Sequence, residues 1–141
     1  VQKIILDTNV VISGLLNGKG IPGKILHNIV LEGLVEICIS QTIMEEYRDV
    51  LSRDKFSKIP GFKTNAGVVL DFIEEFALYF EPSEHITLLR DPDDDYFLDL
   101  ASTSNADYLI TGNTNNFTIK SYGSTTIVTP TDYWNNYRPG L

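Results

Sequence analysis

The residues of this chain best suited to chemistry are carboxylates at the ends of apolar runs. Asp7 closes the run Ile4-Ile5-Leu6 and is followed by Thr8 and Asn9 before apolar character resumes at Val10-Val11-Ile12. A lone acid there would read as a turn-forming residue. Two short polar neighbours that can hydrogen-bond a carboxylate or orient a water widen that reading toward an acidic site. Glu46 belongs to a helical stretch whose buried face is defined by Ile43, Met44, Tyr47, Val50 and Leu51. At about 100° per residue, Glu46 lies at the border of that face while Glu45 points away into solvent. In Asp91-Pro92-Asp93-Asp94-Asp95, the acids of a helix's first turn suit the helix dipole. Asp94 shares its face with Leu98 and Ala101 and is expected to point inward, Asp95 and Asp99 outward, and Asp93 either way.

An inward carboxylate is costly unless it is paired or binds a metal. Asp7, Glu46 and Asp94, arriving from separate elements, are therefore the candidate catalytic acids and the candidate oxygen ligands for Mg²⁺ or Mn²⁺. Such ions activate water and stabilise in-line attack at phosphorus, chemistry that needs neither histidine nor cysteine. The chain offers only two histidines and one cysteine. His27 and His85 read as structural or exposed, and Cys38, inside the apolar run Val35 to Ile39, as a buried inert thiol. That cysteine usage suits a reducing cytoplasm.

The elements that position these acids follow from the hydrophobic pattern. Strands are expected at residues 3–7, 35–39, 108–110 and 126–128, with a weak one near 86–88. Helices are expected from Pro22 to Leu31, closed by Gly33, from an N-cap at Ser40 to about Leu51, from Thr64 or Asn65 to about Phe80, and from Asp91 onward. Residues 53–63, containing Pro60-Gly61, read as a loop, and a short helix is expected after Pro130. Strands separated by helices imply right-handed crossovers and a mostly parallel sheet. Sites of such sheets lie beyond the carboxyl ends of the strands, where Asp7, Thr111 and the Gly112-Asn113 turn would meet. Asp107 would stand at the opposite end. A chain of 141 residues fits one domain, residues 1–141.

The net charge of −8 argues against a protein that holds nucleic acid by electrostatics alone, yet divalent cations can reverse the local charge of an acidic site. Basic residues crowd into one stretch, Arg48, Arg53, Lys55, Lys58 and Lys63, which reads either as a solvated surface or as a guide for a phosphate backbone. No apolar stretch approaches the roughly 20 residues of a membrane span and the amino terminus lacks a signal-peptide layout, so a cytoplasmic protein is expected.

Taken in order, the apolar-Asp-Thr-Asn-Val start, the Ser40 to Leu51 helix with Glu46, the run Asp91-Pro92-Asp93-Asp94 followed by Phe97-Leu98 and Ala101, and Ala106-Asp107-Tyr108-Leu109-Ile110-Thr111-Gly112 resemble a PIN domain. The likeness covers almost the whole chain. It is greatest to toxin components of prokaryotic toxin-antitoxin systems, the VapC-like ribonucleases. The resemblance implies a three-layer α/β/α fold with a mostly parallel central sheet, a Mg²⁺- or Mn²⁺-dependent endoribonuclease acting on RNA, frequent homodimerisation, and a small antitoxin as partner. By position it carries over to Asp7, Glu46 and Asp94, with Thr8, Asn9 and Ser13 as polar neighbours of the first acid. Where many relatives have acids after Thr-Gly, this chain has Asn113 and Asn115. Asn113 can coordinate through its amide oxygen but brings no charge, so a second ion should bind more weakly.

Two other readings compete. A PIN-like module could hold RNA or a protein without cutting. An α/β phosphoacceptor or phosphatase could use Asp7 as nucleophile, but the usual second Asp two residues later is Asn9, and Thr129-Pro130 follows the last strand where a Lys would be wanted. Tyr133, Trp134 and Tyr137 offer aromatic area that must be covered by the core or by a second copy.

Overall fold

The computed structural model describes residues 1–113 and 117–141. One sheet organises the chain. β1 (Lys3–Leu6) lies at its centre, flanked by β2 (Glu36–Ile39) and β4 (Tyr108–Ile110), and the full order is β3-β2-β1-β4-β6-β5. β3 (Leu78–Tyr79) and β6 (Thr125–Val128) continue the parallel pairing, and among the described residues only the edge strand β5 (Ser121–Tyr122) runs antiparallel, against β6. The register aligns Ile4 with Tyr108, Ile5 with Leu109 and Leu6 with Ile110. Ile4, Ile5 and Leu6 are fully buried because helices cover both faces, which explains the unbroken apolar run.

The helices are α1 (Thr8–Leu16), α2 (Ile21–Lys24, continuing as π-helical turns over Ile25–Val30), α3 (Gln41–Leu51), α4 (Asp54–Ser57), α5 (Phe62–Phe76), α6 (Pro92–Ser104) and α7 (Pro130–Asp132, continuing as π-helical turns over Tyr133–Tyr137). The architecture is the α/β/α arrangement expected, with a mostly parallel central sheet. Among the described residues no helix is long and apolar enough to cross a membrane.

Several local expectations are corrected. The third strand is Leu78–Tyr79, not residues 86–88, because the backbone of β2 is what it pairs with. The supposed loop 53–63 contains α4, whose Phe56 is buried and stacks on Phe62 with ring centroids 4.4 Å apart. α5 begins at Phe62 rather than Thr64, after Gly61 in the left-handed region at φ 78°, and ends at Phe76 rather than Phe80. No sequence signal had marked α1, because it is apolar on most of its circumference and Thr8, Val10, Val11 and Gly14 are all buried.

The aromatic carboxyl-terminal segment packs on the core. Tyr133 is fully buried and donates its hydroxyl to Gln2 Oε1 at 2.5 Å, its ring meets Tyr108 edge-on, and Tyr137 stacks on Tyr108 at 4.9 Å. Arg138 lies over the Trp134 ring at 4.3 Å. Cys38 is buried as expected, and burial pushes its thiol up to about 11.

Candidate active site: an acidic cleft at the sheet switch point

The chain leaves β1 toward α1 and β2 on one side, while β4 lies on the other, so the strand order reverses between β1 and β4. Ligand crevices of open α/β sheets form at this place. Asp7 sits there as the N-cap of α1: its backbone N–H donates to Ile110 O at 2.9 Å, and its Oδ1 faces the N–H of Asn9 at 3.5 Å. Thr111, just past β4, donates its hydroxyl to Asp7 Oδ2 at 2.6 Å and accepts the N–H of Asn113 at 3.0 Å. The expected meeting of Asp7, Thr111 and the Gly112-Asn113 turn is therefore found. Asp107 stands at the other end of the sheet, accepting the N–H of Lys3 at 2.9 Å.

Glu46 reaches the same cleft from α3. Ser40 caps that helix, its hydroxyl accepting the N–H of Ile43 at 3.2 Å. One turn in, the hydroxyl of Thr8 donates to Glu46 Oε2, tying α1 to α3. Tyr47, fully buried beside it, donates to the carbonyl of Leu6 and so anchors α3 against the end of β1. Glu45 is exposed and takes a hydrogen bond from Gln41 instead.

α6 supplies the remaining acids. Asp91 is its N-cap, accepting the N–H of Asp93 at 3.0 Å, with Pro92 in the first turn where a missing N–H costs nothing. Asp94 is buried, as its spacing implied. Asp7, Glu46, Asp91, Asp93, Asp94 and Asn113, together with Thr8 and Asn9, line one cleft of about 260 Å³. Asp91 and Asp93 are thus cleft residues that the pattern had not singled out. The helix cap conceals Asp91, since an acid before Pro is fully accounted for by capping. Asn115 lies outside the described residues.

Asp95 and Asp99 correct the expectation that they face solvent. Both are buried, and their partners are backbone groups of the segment 86–89 and the imidazole of His85. Asp95 Oδ1 accepts the N–H of Leu88 at 3.2 Å and of Leu89 at 2.8 Å. Asp99 Oδ1 accepts the N–H of Ile86 at 2.9 Å, and its Oδ2 lies 2.6 Å from His85 Nδ1. His85 also stacks on Tyr96, a structural role consistent with its reading. The segment held this way leads directly into Arg90 and Asp91.

The cleft strains its own charges. Burial raises the pKa of Asp7 against the hydrogen bond from Thr111, and Asp91 adds to the rise. Burial likewise raises Glu46, with Asp7, Asp93 and Asp91 contributing like-charge repulsion and Thr8 opposing it. Five carboxylates around one cleft call for a compensating cation or a proton. The donors are carboxylate and amide oxygens, the set that suits Mg²⁺ or Mn²⁺. Among the described residues no three His, Cys, Asp or Glu side chains are gathered tightly enough to hold an ion as they stand. Two bases face the acids: Arg53 and Lys55 line the same cleft. The rest of the basic stretch is spread out, with Arg48 paired to Glu74 at 2.8 Å and Lys58 and Lys63 exposed.

Comparison with known proteins agrees with this architecture. A relative 34% identical over 110 residues, spanning 78% of this chain and 70% of its own length, is the uncharacterized protein MJ1680 of Methanocaldococcus jannaschii. Among solved structures, the fold matches a chain of VapBC2 from Rickettsia felis, crystallised bound to a DNA fragment from their promoter. That match has a TM-score of 0.57 and 17% identity, and it covers 91% of this chain and 98% of the other. The family model described as a PIN domain matches residues 3–115, and with it the central strands and the helices that carry the acids. The chain belongs to the PIN domain family.

Proposed function

We propose that this protein is a divalent-metal-dependent endoribonuclease, with Asp7, Glu46 and Asp94 as its essential acids. One observation carries the reading: three carboxylates, from the turn after β1, from α3 and from α6, line a single cleft at the sheet's switch point, with two cationic side chains beside them. Asp7, Glu46 and Asp94 would hold Mg²⁺ or Mn²⁺, with Asp91, Asp93 and the amide oxygen of Asn113 within the same cleft. When bound, the ion supplies water activation and charge stabilisation for in-line displacement at phosphorus. The protein's own contribution is orientation. Thr111 holds Asp7 Oδ2, the N–H of Asn9 faces Asp7 Oδ1, and Thr8 holds Glu46 Oε2, which fixes the directions in which these carboxylates meet a ligand. Arg53 and Lys55 are placed to receive phosphates flanking the scissile bond, which offsets the chain's acidic balance locally.

The likeness to a VapBC2 chain extends the proposal to a toxin component restrained by a small antitoxin. The test is incubation of wild-type and Asp7→Asn protein with single-stranded and structured RNA in Mn²⁺, Mg²⁺ or EDTA. Cleavage that needs both metal and Asp7 is expected. A folded wild type that binds RNA equally well with Asp7→Asn and cuts none of the RNAs would favour the non-cleaving module.

A further inference from the structure

A second cavity opens beside the acidic cleft and differs from it in charge. It measures about 480 Å³ and is lined by Asn9, Val10, Ser13, Pro22, Gly112, Asn113 and Pro130. None of these side chains is charged. Asn9 and Asn113 belong to both cavities, so the two are continuous across a pair of amides. The volume lies within the ~300–1,000 Å³ range of small-ligand pockets.

The walls are set by backbone packing. A Cβ on Gly14 would meet the carbonyl oxygen of Pro22 at 3.0 Å and Leu26 Cδ2 at 3.2 Å. A Cβ on Gly23 would come within 2.5 Å of the backbone of Gly18 and of Asn17 O. These contacts draw α2 against α1 and hold Pro22 opposite Ser13 as one wall. Pro130, locked at the first turn of α7 by Thr129, whose hydroxyl accepts the N–H of Asp132 at 3.1 Å, forms the other.

We infer that this pocket holds the nucleobase adjoining the scissile phosphate and gives the enzyme a base preference at that position. The inference rests on the ribonuclease reading and deepens it. An RNA strand alternates an anionic backbone with neutral, flat bases whose edges carry donors and acceptors. The site matches that alternation: cationic Arg53 and Lys55 line the cleft with the carboxylates, and adjoining it across Asn9 and Asn113 is an uncharged slot with proline and valine surfaces for a ring face. The Asn9 amide and the Ser13 hydroxyl there can both donate to and accept from a base edge.

The experiment separates this inference from the activity it rests on. Isotope-labelled protein in EDTA is titrated with adenosine, cytidine and uridine, with ribose as control, following the side-chain amide signals of Asn9 and Asn113. At least one nucleoside should shift both signals and bind more tightly than ribose. Ser13→Phe, which fills the pocket from an exposed helical position, should weaken that binding roughly tenfold or more; Asn9→Ala should weaken it without adding bulk. In parallel, cleavage sites in a randomised RNA pool are compared for wild type and Ser13→Phe in Mn²⁺. A base preference beside the cut that flattens in Ser13→Phe, with cleavage retained, supports the inference. Cleavage whose preference is absent or unchanged in Ser13→Phe, or titrations that leave both amides unmoved, overturns the pocket and leaves the nuclease standing. Nucleoside shifts lost in Ser13→Phe, in a wild type that cuts no RNA, support a base pocket and overturn the nuclease.

Discussion

Asp95 offers the sharpest test of how the cleft is held. It is fully buried on α6, its Oδ1 accepts two backbone N–H groups, and its Oδ2 meets no partner among the described residues. Asp95→Ala removes both hydrogen bonds. Hydrogen bonds to charged groups contribute about 1.5–3 kcal/mol each. The N–H of Leu89 is buried and stays unsatisfied, whereas that of Leu88 is only partly buried and can turn to water. Relief of the desolvated carboxylate with its orphaned oxygen offsets part of the loss. The expected net cost is roughly 2–4 kcal/mol, about 6–12 °C in Tm for a domain of this size. Asp95→Asn keeps the Oδ1 acceptor and loses the charge, so it should cost less, about 1 kcal/mol. Urea unfolding followed by the fluorescence of Trp134, the single tryptophan, measures both. Amide exchange should show Leu89 losing protection ahead of the sheet. Asp95→Ala within about 0.5 kcal/mol of wild type, or Leu89 exchange unchanged, would refute the view that this carboxylate pins the segment delivering Asp91 to the cleft.

The raised pKa values of Asp7 and Glu46 fix a second expectation. A carboxyl group whose folded pKa lies above its unfolded one contributes stability below the unfolded value, 3.8 for Asp7 and 4.5 for Glu46, and loses it as pH rises through the folded value. In EDTA, Asp7→Asn should therefore gain stability relative to wild type as pH rises from 4 toward neutrality, and millimolar Mg²⁺ should narrow that gap; a pH-independent difference in urea midpoints would contradict the charge crowding. Arg53→Glu and Lys55→Glu together should weaken RNA binding in EDTA and reduce the slope of log K against log salt by about 1.4, at ~0.7 per lost phosphate contact. Fluorescence anisotropy at several salt concentrations measures this, and an unchanged slope would remove these residues from the RNA path.

Where a residue's neighbours are dictated by local spacing, the sequence was a sufficient guide. Ile4-Ile5-Leu6 and Tyr108-Leu109-Ile110 read as buried strands because nothing but a doubly covered sheet suits them. Asp94 read as inward because Leu98 and Ala101 repeat its direction. Reading failed where the partner is distant and consists of backbone. Asp95 and Asp99 satisfy N–H groups of residues 86–89, which no side-chain pattern announces, so a helix with one assumed buried face was in fact enclosed on most sides. β3 failed for the same reason: two residues become a strand only because β2 offers its edge. α1 escaped notice because helical periodicity needs a polar face, and its circumference has little. Asp91 was hidden by an adequate local role.

Thr111 donates to Asp7 across 104 positions of chain, and β1 gains its second neighbour only when β4 is in place. Asp7, Glu46 and Asp94 all precede residue 108. A ribosome therefore finishes every acid of the cleft well before the strand that closes the crevice and the hydroxyl that holds the first carboxylate. Polypeptides halted earlier carry the acids but lack the geometry, so the order of synthesis itself delays assembly of the site until Thr111 has been made, a delay that suits the ribonuclease proposed above.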